Sequence, residues 1–306
     1  MDASSSNIKS MKGNQMQFTK LADKVILVKL TQRKAALTKR DRALTNTVQA
    51  QFNDNSLTVL TKLFRDKNSP VNKIMTKFNE VYAHHKINTI PYIDAGPRML
   101  PSTLYFEYTQ DMKHKMAVVD KLIDQWMPFY DDLVKADVMF RNTGHAQGRA
   151  DASEYPTADQ FRNSMSNDLR FQPMPDVKHF LFDLSDEDVE AFHRAEVETL
   201  NLANADTINR MLKPLTDLTK RLGEFKGEKG ERFHNSLVEN VIEGCKIARK
   251  LVIAPTPELM DQIKELEDMS VKYLSNVEMI KASPMVRKDA QDRLAEVVDK
   301  MSAFGF

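Results

Sequence analysis

Met112-Lys-His-Lys-Met116-Ala-Val-Val119-Asp-Lys-Leu-Ile123-Asp-Gln-Trp126-Met-Pro-Phe-Tyr130-Asp-Asp-Leu133 sets apolar side chains at spacings of 4, 3, 4, 3, 4 and 3. A strand would need alternation. This spacing is instead a heptad seam, an apolar line that one helix presents to a neighbour. The seam lies in what reads as one long helix from Pro101 to about Arg141, which Pro128 should kink or split. Thr143-Gly-His-Ala-Gln-Gly148 ends it. Ile208, Met211, Leu215, Leu218, Leu222 and Phe225 repeat the spacing, with Pro214 as a second expected kink. Leu259, Ile263, Leu266, Ser270, Tyr273, Val277 and Ile280 repeat it again, with one polar interruption. The expected class is mainly α (α+β), with long antiparallel, coiled-coil-like helices.

Outward from these seams the pattern changes. Lys24–Thr31 is short, apolar and β-branched, as a buried strand requires. Gln32 to Asn53 is polar and basic, and its loosely spaced Leu37, Leu44 and Val48 suggest a modest amphipathic helix ended by the turn Asn53-Asp-Asn-Ser56. Leu57 to Phe64 alternates and reads as a second strand. Ser69-Pro70 is a cap followed by proline at the first helical position, opening a helix to about His85. Ile90-Pro-Tyr-Ile-Asp-Ala-Gly-Pro-Arg-Met-Leu-Pro101 carries three prolines and one glycine and reads as an irregular loop. Tyr155-Pro156-Thr157 opens a short helix to about Asp168. Segments 169–175 and 178–184 read as strands, so the small sheet is expected from 24–31, 57–64, 169–173 and 178–184. Ser185 caps a helix with acidic residues in its first turn. Gly227–Gly230, Pro255–Pro257 and Ser283-Pro284 separate the remaining helices. The division this implies is a disordered tail at 1–16, a basic-to-mixed α+β region at 17–184 and an acidic helical region at 185–306.

The 306 residues hold 42% hydrophobic and 28% charged side chains, the balance of a folded chain. Their net charge of +1 conceals a dipole. Residues 1–100 carry 17 Lys and Arg against seven Asp and Glu, and residues 101–306 carry 27 against 36. Such asymmetry points to an anionic partner for one end, or to subunits meeting head to tail. One cysteine, Cys245, cannot form an internal disulfide, so a reducing cytoplasm is the expected compartment. No apolar run approaches the ~20 residues that cross a bilayer, so no membrane partner is expected.

Chemistry is sparsely signalled. There is no GxxxxGK[ST] phosphate loop, no GxGxxG turn and no HExxH, and no cofactor is expected. Cys245 follows Val238, Val241 and Ile242 at helical spacing, as a buried thiol does. Glu190-Ala-Phe-His193 and Glu231-Arg-Phe-His234 match the paired Glu-x-x-His of di-iron bundles. However, Phe192 and Phe233 are the natural core residues there, and Glu224 is the sole bridging carboxylate that helix 207–225 offers. Surface histidines account for both motifs, and a di-metal carboxylate enzyme stays the outlying alternative. Glu80, His84 and His85 form a second cluster, which a helix-end histidine interacting with the dipole explains. The candidate site is basic: Lys29, Arg33, Lys34, Lys39, Arg40 and Arg42 within fourteen residues, continued by Arg65 and Lys67 and then Lys73 and Lys77. Such cations bind phosphates in a salt-dependent way, and Phe52 and Phe64 nearby are either stacking platforms or core. The leading reading of the same cations is a solvated face that docks on the chain's acidic helices, within or between subunits.

Thr89-Ile-Pro-Tyr-Ile-Asp-Ala-Gly-Pro-Arg-Met-Leu-Pro101, Tyr155-Pro156, Phe171-Gln-Pro-Met-Pro175, Phe233-His-Asn-Ser-Leu-Val-Glu-Asn240 and the helix from Pro284 to Met301 carry a resemblance. In these segments the chain resembles a family of uncharacterised tailed-bacteriophage proteins, over most of its length from about residue 20. The resemblance implies a phage protein made in the host cytoplasm, often encoded near a MoxR-type AAA+ ATPase and sometimes a von Willebrand A-domain protein. It supplies no catalytic residues. The combined expectation is a non-enzymatic, oligomeric helical adaptor or assembly component, with a MoxR-type ATPase as partner. The alternative is a single-stranded nucleic-acid-binding protein that uses the basic segment.

Overall fold

The first two heptad seams lie in helices, the first cut at its proline, and the third falls in two helices, its residues 270–276 lying outside the described ones. The computed structural model describes residues 21–92, 96–144, 150–175, 185–228, 230–253, 255, 257–269 and 277–303. The expected tail at 1–16 and the expected strand at 178–184 lie outside them. The helices are α1 (Arg42–Phe52), α2 (Pro70–Ile87), α3 (Tyr105–Trp126), α4 (Tyr130–Gly144), α5 (Ala158–Asn163), α6 (Asp186–Glu224), α7 (Asn235–Leu251), α8 (Pro257–Met269), α9 (Val277–Ala282) and α10 (Pro284–Ala303). The strands are β1 (Val25–Arg33), β2 (Thr38–Arg40), β3 (Leu60–Lys62), β4 (Ile90–Pro91), β5 (Arg98–Pro101) and β6 (Ser166–Pro173). The fold is mainly α with a small antiparallel sheet. Among the described residues no helix is long and apolar enough to cross a membrane.

The chain divides into two compact units that alternate along the sequence. The first comprises Met1–Lys29, Lys86–Phe106 and Arg170–Phe306. Its longest element, α6, packs against α7 and α10. Met211, Leu215, Leu218, Leu222 and Phe225 form the core there with Val238, Val241, Ala248, Ile263, Leu266, Ile280, Leu294 and Val297. The expected kink at Pro214 does not divide this element, which runs as one helix through the proline. A proline cannot donate to the carbonyl four residues back, so the Arg210 carbonyl loses its helical partner. Gly244 of α7 passes against that same oxygen, which would lie 3.0 Å from a Cβ added there.

The four-stranded sheet has the order β4-β5-β1-β6. Val25, Ile26, Leu27 and Val28 of β1 face Pro101, Leu100, Met99 and Arg98 of β5, and β4 pairs with β5 through Ile90 and Met99. The proline-rich run 90–101, expected to be an irregular loop, therefore supplies two strands. Pro91 fits because β4 is an edge, where a missing N–H removes no ladder bond. Segment 57–64 does not enter this sheet. Only Leu60–Lys62 is extended, and it pairs with β2 as a separate ribbon.

The second unit comprises Leu30–His85 and Glu107–Leu169. Met112, Val119, Ile123 and Tyr130 of the first seam are buried in it. At Pro128 the helix gives way to a single tighter turn over Met127–Phe129, separating α3 from α4. Phe64 packs its ring against Tyr130, Tyr155 and Phe161. The helix expected over Gln32–Asn53 is shorter than its pattern. β1 continues to Arg33, Leu37 accepts the Leu63 amide, and α1 starts only after Asp41, whose carboxylate receives the Leu44 amide at 2.9 Å. That cap fixes the boundary.

Candidate nucleic-acid interface

The second unit gathers most of the predicted cations, and the carboxylates nearest them in sequence are few. Residues 30–85 hold ten Lys and Arg against Asp41, Asp54, Asp66 and Glu80. Asp41 caps α1. Asp54 takes the Ser56 amide and hydroxyl, and Asp66 takes the Asn68 amide. Glu80 pairs with Lys77 at 2.7 Å, and among the described residues this is the one ion pair that any of the ten cations makes. Residues 30–85 therefore carry a net charge of +6, and Asp151 of the same unit lies near enough to Lys39 for each to feel the other's charge.

Seven of the eight predicted site residues belong to this unit, and all seven are exposed. The ribbon sets Thr38 opposite Lys62, Lys39 opposite Thr61 and Arg40 opposite Leu60. Side chains alternate along a strand, so Arg40 and Lys62 share one face as a diagonal pair, roughly 7–8 Å apart. Arg42 is the first residue of α1, and no acidic residue occupies that first turn. A cation there adds to the positive end of the helix dipole instead of offsetting it. Arg65 and Lys67 leave the other end of the ribbon. Lys34 is partly committed elsewhere: it donates to Asn79 at 2.9 Å and lies 5.8 Å from the centre of the Phe78 ring, and burial holds its ammonium below the ordinary value. Arg33 ends β1. Lys29 is exposed on the same strand but belongs to the first unit. Lys62, which the sequence reading passed over, joins the site through its ribbon partner.

A network invisible to that reading holds the loop carrying Arg65 and Lys67. The Phe64 amide donates to Asp137 at 2.7 Å and the Arg65 amide donates to it at 2.9 Å. Asn72 donates to the carbonyls of Phe64 and Asp66, both at 2.6 Å. Asp137 also accepts the Tyr155 hydroxyl, and Arg141 donates to Tyr155 and, at 2.6 Å, to Glu154. Burial, then the Asp137 bond, holds the Tyr155 phenol well above its usual range. One signal was available. Tyr130, Val134, Asp137 and Arg141 are all buried and follow the spacing 4, 3, 4, so two charged residues sit on the inward stripe of α4.

The two aromatic candidates part company. Phe64 is core at 2% exposure, whereas Phe52, the last residue of α1, is 64% exposed. Leu60 beside Arg40 is 63% exposed.

The other constellations are not assembled as metal sites. Glu231 accepts the amides of Lys226, Gly227 and Glu228, so its carboxylate is spent on a turn. His193 faces Glu196 at 3.4 Å, His234 precedes α7, and Glu190 is exposed. Among the described residues no three His, Cys, Asp or Glu gather where a metal could sit. Glu80 is paired with Lys77, His84 faces Asp111 at 3.7 Å, and buried His85 shares a hydrogen bond of 2.6 Å with Tyr108. Burial, then Lys115, outweighs Asp111 and holds the His84 pKa below its ordinary value. Cys245 lies in the core of the first unit, and burial pushes its thiol up to about 11. Comparison with protein-family models, curated proteins and solved structures finds no match.

Proposed function

We propose that this protein is a non-enzymatic nucleic-acid-binding protein whose second unit grips the phosphate backbone. The observation that carries the reading is the pairing state of residues 30–85: ten cations, one ion pair, and three carboxylates turned onto backbone amides. Diagonal like charges on the ribbon and a cation at the start of α1 oppose folding and favour an external polyanion. Phosphate contacts of this kind are independent of sequence and release counterions. The test is fluorescence anisotropy of a labelled oligonucleotide at ~50 and ~200 mM salt. Binding at the lower salt that weakens at the higher, and that is lost in an Arg33→Ala, Lys39→Ala, Arg40→Ala, Arg42→Ala variant, supports the reading. No binding at low salt, or undiminished binding by the variant, removes it.

A second reading is the oligomeric adaptor or assembly component of an AAA+ remodelling system. It is favoured by Phe129, Met139 and Phe140, three exposed apolar side chains in and just before α4. A strict monomer by light scattering that also ignores a MoxR-type ATPase would leave it without support.

A further inference from the structure

We infer that Phe52 is a base-stacking platform, which makes the ligand of the basic surface single-stranded nucleic acid. The inference rests on the proposal that this surface binds nucleic acid. Phe52 closes α1, whose first residue is Arg42. Ten residue steps carry the helix from one to the other, about 15 Å along the axis. A strand following the ribbon cations and Arg42 would then reach an aromatic face.

That ring is held out by an ordered turn. Asn53 adopts the left-handed conformation at φ 50°, and its amide donates to the Gln49 carbonyl. The Asp54 amide donates to the same oxygen at 3.1 Å. The Gln49 side chain donates to the carbonyls of Asn55 and Leu57 at 2.9 and 2.8 Å. Farther back, the Val59 amide donates to the Thr45 hydroxyl and the Asp41 amide donates to the Val59 carbonyl. The turn thus satisfies its own polar groups and leaves the ring uncovered, with no ring partner among the described residues. Thr45 is buried in α1, and half-buried Val48 and exposed Phe52 follow it at spacings of 3 and 4.

Strandedness follows from the ring. In a duplex the π faces of the bases are stacked on one another, so a protruding aromatic gains little. An unpaired base has both faces available, and stacking on an aromatic side chain tolerates any sequence. The surface therefore combines the two parts that non-specific single-strand binders use, cations that track the backbone and an aromatic that takes a base.

The test measures anisotropy of a labelled oligothymidylate and of a duplex of equal length at low salt, using the full chain and Phe52→Ala, Phe52→Leu and Phe52→Trp. The ring is exposed, so the variants should keep the wild-type Tm. The expected result is preference for the single strand, a loss of roughly 5- to 100-fold in Phe52→Ala and Phe52→Leu, recovery in Phe52→Trp, and unchanged duplex binding. Equal binding of both ligands with no effect of Phe52→Ala overturns the inference and leaves the phosphate-binding reading standing. Wild-type affinity in Phe52→Leu also overturns it, since an apolar contact would then suffice. Binding of neither ligand by the wild type removes the underlying reading as well.

Discussion

Asp137 closes on the Phe64 amide at 2.7 Å, across 73 residues of chain, and Phe64 is held there at φ 51°. A left-handed backbone costs a residue with a Cβ roughly 1–2 kcal/mol, and the Phe64 ring is buried too firmly to relax. The carboxylate offsets that cost by taking two amides and a phenol. Asp137→Ala leaves these three donors unpaired in a buried site, so it should lower stability by about 2–4 kcal/mol. Asp137→Asn, which keeps an acceptor, should lose less. Urea unfolding measures both, and a stable Asp137→Ala would show that the clamp is dispensable.

Gly244 admits no side chain without movement, because its Cβ would meet the Arg210 carbonyl at 3.0 Å. Helix backbones on both sides restrict relaxation. Gly244→Ala should therefore destabilise by about 1–3 kcal/mol, against the usual gain from replacing glycine in a helix. A raised Tm would mean that α6 and α7 can separate at small cost.

His84 ties stability to pH. Its folded pKa lies below the ordinary 6.5, chiefly through burial. The unfolded chain therefore binds its proton more readily. The stability concerned is present above about pH 6.5 and is lost as pH falls through the folded value. His84→Gln should flatten this part of a Tm–pH profile. An unchanged profile would assign the acid sensitivity to other groups.

Cys245, buried and raised to about 11, is a protonated thiol at neutral pH. Ellman's reagent should react with the folded protein far more slowly than with the urea-unfolded chain. Equal rates would contradict its place in the core.

The helices were largely legible because their physics is periodic. Met112 to Tyr130 and Met211 to Leu222 announce buried stripes at 4,3 spacing, and Ser185 and Ser69-Pro70 mark starts that α6 and α2 confirm. The ribbon was not legible. Thr38–Arg40 and Leu60–Lys62 are three-residue strands without an apolar face, and only long-range pairing makes them strands. β4 and β5 were hidden by prolines that an edge tolerates. At the site, the cations could be read but the pairing state of their neighbours could not. Asp41, Asp54 and Asp66 look like counterions in sequence, and only the fold turns them onto amides. Phe52 and Phe64 are alike in sequence and differ because one lies over a core and the other past a helix end.

In the nucleic-acid-binding reading proposed above, phosphates sit on the ribbon and the loop beyond it. The most direct measurement is the slope of log K against log salt for a single-stranded oligonucleotide. Arg40→Ala, Lys62→Ala, Arg65→Ala and Lys67→Ala should each reduce the magnitude of the slope by about 0.7 as one phosphate contact is lost. Lys220→Ala in the first unit, where Lys220 faces Glu224 at 3.9 Å, should leave it unchanged. Slopes that stay at the wild-type value in all four variants, or that fall equally in Lys220→Ala, would contradict the account.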